Sequence, residues 1–68
     1  MISYEPLWKT MKVKNISQYY LLQNGIDNKM LDYLRNNRNI MMRSLEKLCN
    51  ILECGPEDIV EFLPDEKK

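Results

Sequence analysis

The stretch ISQYYLLQNGIDNKMLDYLRNNR, residues 16–38, decides how the rest of the chain is read. Ser17 has the position of a helix cap, its side chain free to accept from a first-turn N–H, while Ile16 and Leu21 have the spacing of a hydrophobic staple. Ile26, Asp27 and Leu31 repeat that grammar one element later. Between the two, Gly25 stands where the first helix must stop, and glycine alone takes a left-handed backbone there without steric cost. The pattern predicts helices over about Gln18 to Asn24 and about Asn28 to Asn36. Two capped helices joined by a tight glycine turn are the sequence form of a helix-turn-helix.

On the N-terminal side, Leu7, Trp8 and Met11 form an apolar stripe at helical spacing, with Lys9 and Lys12 off it. Pro6 suits a first helical turn, so a helix is expected over about Pro6 to Lys14, with Ser3 as an alternative start. Met1 to Tyr4 can be extended. On the C-terminal side, Asn36 to Asn39 is a polar turn. Leu45, Leu48, Cys49 and Leu52 then fall at i, i+3, i+4 and i+7, predicting a helix from about Met42 to Glu53. Ile40 and Leu45 keep the staple spacing, but Met41 occupies the cap position and cannot accept a hydrogen bond, at a cost of about 1 kcal/mol. Gly55-Pro56-Glu57-Asp58 reads as the opening of a fifth helix with Ile59, Phe62 and Leu63 as its buried face, stopped by Pro64 and followed by a frayed tail at 65–68. The expectation is an all-α fold: one compact five-helix domain over residues 1–68, with its helix-turn-helix core at about 17–36.

At 68 residues the chain is near the lower size limit for a core without covalent staples. Ten basic and ten acidic residues cancel, but they are not mixed. Lys9 to Lys47 holds eight basic residues against three acidic ones, and Leu48 to Glu66 holds six acidic residues and no basic one. A neutral chain so divided can still present one positive face. Two cysteines without a histidine do not make a structural zinc site, which takes four ligands. Cys49 and Cys54 read instead as small buried hydrophobes in a reducing compartment. There is no secretory leader pattern and no apolar run of membrane-spanning length, so a cytoplasmic location is expected. No cofactor, metal or small-molecule ligand is expected.

In order, PLWKTM, ISQYYLLQNGIDNKMLDYLR and SLEKLCNILECGPEDIVEF cover nearly the whole chain. Together they resemble the lambda-repressor-like family of DNA-binding domains, of the Xre or Cro type, and in particular a short bacterial subgroup with little beyond the domain. The last segment is the most specific, an apolar helix ending in L-x-C and followed at once by P-x-D-I. The resemblance implies a five-helix domain whose third helix enters the major groove while the second lies across it. Leu21 to Gly25 is one residue shorter than the usual spacing, so either Tyr20 is the anchor or the second helix ends tighter by a residue. Met41-Met42-Arg43 also departs from the family, whose members commonly have a Ser or Thr cap there.

With Leu31 and Leu34 turned inward, Asn28, Lys29, Asp32 and Tyr33 face outward near the start of the third helix. Asn28 carries the amide pair that matches adenine, and Lys29 can donate to guanine. Tyr33 can reach a phosphate or a thymine methyl. Asp32 fits only by accepting from a cytosine amine or pairing with an arginine. The resemblance implies that Gln18 bonds a phosphate and braces the recognition helix. Arg35, Asn37, Arg38 and Arg43 surround the end of that helix and the start of the next, where backbone contacts would make binding strongly salt-dependent. Tyr19 and Tyr20, aromatic residues on a helix, read as core rather than as base-stacking platforms.

The function expected from all this is a sequence-specific regulator of transcription bound to double-stranded DNA, a repressor in preference to an activator. It would act as a homodimer on paired half-sites, with the acidic fifth helix and its Phe62 and Leu63 as the self-association surface. The alternative is a protein-interaction module that keeps the fold without binding DNA, favoured by the zero net charge and by Asp32 on the probing face. An enzyme is disfavoured: there is no histidine and no glycine-rich phosphate loop.

Overall fold

The computed structural model describes residues 1–64. Among them, four α-helices follow one another: α1 (Glu5–Lys14), α2 (Gln18–Gln23), α3 (Asn28–Arg35) and α4 (Met42–Leu52). A 3-10 turn at Pro56–Asp58 comes next, and two short strands, β1 (Ile2–Ser3) and β2 (Glu61–Phe62), pair antiparallel with Ile2 opposite Phe62. The core gathers Tyr4, Leu7, Met11, Leu21, Ile26, Leu31, Leu34, Leu48, Leu52 and Ile59, one or two residues from each helix and three from the segments between and beside them. Ile16 and Cys54 are packed against it from outside.

The helix starts follow the predicted chemistry. Ser17 Oγ accepts from the Tyr20 amide at 3.2 Å, and Asp27 Oδ1 accepts from the Met30 amide at 2.9 Å. Met41 caps nothing with its side chain. The helix ends share a second device. Asn15, Gly25, Asn37 and Glu53 all have positive φ, and the amide just after each reaches back five residues: Ile16 to Met11, Ile26 to Leu21, Arg38 to Tyr33 and Cys54 to Cys49. This closure satisfies carbonyls that the helix leaves open and packs the returning residue on the last turn. It also settles the spacing before Gly25. Leu21 is fully buried while Tyr20 is 43% exposed, so Leu21 is the anchor and α2 ends tighter by a residue. Tyr19 is exposed too, which corrects the expectation of a core role for the pair; a six-residue helix has room to bury Leu21 fully and Leu22 in part.

The fifth helix does not form. Ile59 is buried as expected, but Phe62 is 77% exposed and Leu63 stands at 40%. Of the expected apolar face only Ile59 is buried, so packing in this eight-residue stretch from Pro56 to Leu63 does little to offset the cost of nucleating a helix. Pro64 also pushes Leu63 away from the helical region. A better partner is available in the N-terminal segment. The Leu63 amide donates to the Met1 carbonyl at 2.7 Å, and the Met1 amino group donates to the Leu63 carbonyl at 2.9 Å. Backbone groups that a frayed helix would leave to water are paired instead between Met1 and Leu63. The tail expected at 65–68 lies outside the described residues.

Candidate nucleic-acid interface

Helix α3 is held from both ends and from behind. Its start is capped by Asp27, and Leu31 and Leu34 are buried beneath it. At its far end, Asn37 Oδ1 accepts from the Tyr4 amide at 3.0 Å, and the Tyr4 hydroxyl donates to the Arg38 carbonyl at 2.6 Å. Tyr4 is 2% exposed, and burial raises its phenol above the ordinary value of 10.0, so it stays a donor. The turn between α2 and α3 is pinned as well: Lys47 Nζ, from α4, donates to the Gly25 carbonyl at 3.2 Å. A rigid scaffold thus presents the outer face of α3.

That face carries the residues expected there. Asn28, Lys29 and Asp32 are exposed, and Tyr33 is half-buried. Lys29 and Tyr33 line a shallow groove of about 240 Å³ together with Asn39, Met41 and Ser44. The Arg38 guanidinium lies over the Tyr33 ring, 5.1 Å from its centre, an attraction between the cation and the ring face. Gln18 and Arg35 meet: Arg35 Nη2 donates to Gln18 Oε1 at 2.6 Å, joining the first turn of α2 to the last turn of α3. Asp32 finds an amide rather than an arginine. Asn36 Nδ2 donates to its carbonyl at 2.8 Å and to Oδ1 at 3.4 Å.

Two expected members stand apart. Asn37 has its side-chain oxygen committed to the Tyr4 amide, a role in the fold. Arg43 lies on the first turn of α4 in a different groove, with Ser44, Glu46 and Lys47, and no contact joins it to Arg35 or Arg38. The sequence reading passed over Lys47 and Tyr4. Nothing local marks either, because each acts on a residue more than twenty positions away. Asn39 and Ser44 were findable, since the staple from Ile40 to Leu45 folds their segment back beside α3.

Both cysteines are free and half-buried. Burial, and then the negative charge of Glu57 and Asp58, pushes the Cys49 thiol above its ordinary value of 9.0; burial and the neighbouring Cys49 do the same to Cys54. Both remain neutral thiols, as their expected packing role requires. Among the described residues no helix is long and apolar enough to cross a membrane.

The class defined by this arrangement is a helix-turn-helix domain whose second helix, α3, has a polar, cation-bearing outer face. A family model for the Cro/C1-type HTH DNA-binding domain matches residues 6–65, and the chain belongs to that family. Among solved structures it is similar to the crystal structure of the transcriptional regulator VanUg, Form II. The TM-score is 0.86 at 29% identity, over 94% of this chain and 87% of that one. No curated protein sequence matches the chain significantly.

Proposed function

We propose that the chain is a transcriptional regulator, a cytoplasmic repressor, that reads the major groove of double-stranded DNA with α3 and acts as two copies on paired half-sites. The observation that carries this reading is the sidedness of α3. Leu31 and Leu34 are sealed in the core while Asn28 and Lys29 stand in solvent at the end of the helix that probes base edges. In this reading Asn28 and Lys29 touch bases, and Tyr33 contacts a phosphate or a thymine methyl. Gln18 and Arg35 form one polar bridge that meets the phosphate backbone, Arg38 adds a second cation, and Arg43 reaches the backbone from α4. The similarity to a transcriptional regulator supports the regulatory role.

The test begins with selection of duplexes from a random pool, followed by titration of the recovered site at two salt concentrations. Lys29→Ala is expected to weaken binding by about 1–3 kcal/mol and to relax preference at one base pair. Arg35→Ala should weaken all duplexes alike and reduce the salt slope by about 1. Reduced transcription from a promoter overlapping the site would establish the repressor role. If no duplex is retained even at low salt, the chain is an interaction module, the reading that its zero net charge and the exposed Asp32 favour.

A further inference from the structure

The four closures at the helix ends have a consequence for side chains, because each returning residue lands on the residue five positions back. At the end of α3 the pair is Tyr33 and Arg38, the cation over the ring at 5.1 Å. At the ends of α1 and α2 it is apolar, Met11 with Ile16 and Leu21 with Ile26, all in the core or packed against it. At the end of α4 it is two thiols. The Cys54 amide donates to the Cys49 carbonyl at 3.0 Å, with Glu53 left-handed before it. A closure of this form sets the side chains of its first and last residues together. Two thiols apposed on a fixed backbone are what a disulfide needs. Packing alone does not ask for them, since the other three closures use other residues. Both thiols are free and half-buried, and Cys49 lines an open groove along α4 with Glu46 and Pro56.

We propose that Cys49 and Cys54 form a modification site, a dithiol that a hydroperoxide closes to an intramolecular disulfide and a thiol reductant reopens. The site is independent of the DNA reading. The Cys49 thiolate, reached through the groove, attacks one peroxide oxygen. The O–O bond breaks, and the alcohol (or water) leaves with the proton that Cys49 gave up, which makes Cys49 a sulfenic acid. The Cys54 thiolate then attacks that sulfur, the S–O bond breaks, and water leaves with the proton from Cys54. The two thiols lose two electrons and the peroxide gains them. The bond staples the last turn of α4 to the chain that leaves it. Charge sets the pace. Burial, then the carboxylates of Glu57, Asp58 and Glu46, opposes the Cys49 thiolate. Burial, Cys49, Asp58 and Glu57 oppose that of Cys54, while the Lys14 ammonium favours it. Closure is therefore slow at neutral pH and quickens as pH rises toward the thiol range.

The test treats the whole folded chain with hydrogen peroxide and follows intact mass. Wild type should become about 2 Da lighter without cross-linking two chains, lose both labelable thiols, and recover them in dithiothreitol. Cys49→Ser and Cys54→Ser, with circular dichroism confirming that they fold, should instead gain about 16 Da or more, because neither has a second thiol to resolve the sulfenic acid. In a glutathione redox buffer the bond should be at least about tenfold more favourable in the folded chain than in urea. The oxidised chain should then unfold at higher urea than the reduced one. Wild type that gains oxygen or cross-links as the single variants do would overturn the proposal. So would a bond no more favourable in the folded chain than in urea, since the closure would then not be what presents the pair.

Discussion

The helix-turn-helix and the C-terminal segment are built by different rules, although both pack on the same core. From Ile16 to Arg38 the helix starts and helix ends are each set by a residue within five positions, and the distant Tyr4 and Lys47 only fasten what is already formed. Ser17 and Asp27 start helices, Gly25 and Asn37 end them, and Ile26 and Arg38 turn back on the helix just finished. From Gly55 to Leu63 the decisive partners are distant. Thr10 donates to the Asp58 carbonyl at 2.8 Å, and Met1 pairs with Leu63 across 62 positions. Local signals alone predicted a helix in that segment, and the remote strand overrode them. The difference matches the division of labour proposed for the molecule. A recognition helix must keep one shape whatever it docks against, whereas the strand pair serves to fasten the segment after α4 to the first residues of the chain.

The most severe way to break this comparison is to remove its joint. Tyr4 follows β1 directly, yet its two hydrogen bonds go to the segment after α3, so it belongs to both regions. Tyr4→Ala should cost about 3–5 kcal/mol in chemical denaturation, a large share of the stability of a domain this small. Hydrogen exchange should show Leu63 and Arg38 amides losing protection well before the Met30 amide. Tyr4→Phe keeps the ring and removes only the donor to the Arg38 carbonyl, for about 1 kcal/mol. Equal loss of protection at all three amides would show that the two regions unfold as one.

What could be read in advance follows the same division. The four helices, their caps and the exposed face of α3 were legible because periodicity and capping act within a turn or two. The closures at Asn15, Asn37 and Glu53 were less so, since asparagine only permits a left-handed backbone and glutamate gives no sign of it. The strands were not legible: two residues are too few to show alternation, and their pairing is a tertiary choice. At the candidate site, the meeting of Gln18 with Arg35 and of Tyr33 with Arg38 needed the angle between α2 and α3 and the path of the returning chain. Residue type alone gives neither.

Caps allow a gentler test with a sign attached. Asp27→Ala removes the acceptor of the Met30 amide and should destabilise by about 1 kcal/mol. Met41 has the extended backbone of a cap, φ −73° and ψ 150°, but no acceptor. Met41→Ser should therefore stabilise by a similar amount, read as a shift of the denaturation midpoint at constant slope. Opposite shifts of comparable size would show that α4 follows the same local rule as α3. No gain from the serine would mean that α4 takes its start from packing alone.

The smallest expected effect concerns the boundary between the two regions. Glu53 closes α4 with φ 54° and ψ 54°, a left-handed conformation that costs a residue bearing a Cβ about 1–2 kcal/mol. Its side chain is exposed, so nothing in the core compensates directly. The compensation is the Cys54 amide, which reaches the Cys49 carbonyl at 3.0 Å and brings the two cysteines together on the last turn. Glu53→Gly relieves the strain but adds freedom to the unfolded chain, so the net gain should be about 0.5–1 kcal/mol. Glu53→Asn should fall between wild type and the glycine variant, because asparagine tolerates this backbone with less entropy to lose. A loss on either substitution would mean that the glutamate carboxylate, rather than the backbone closure, holds the chain as it leaves α4 for the strand pair.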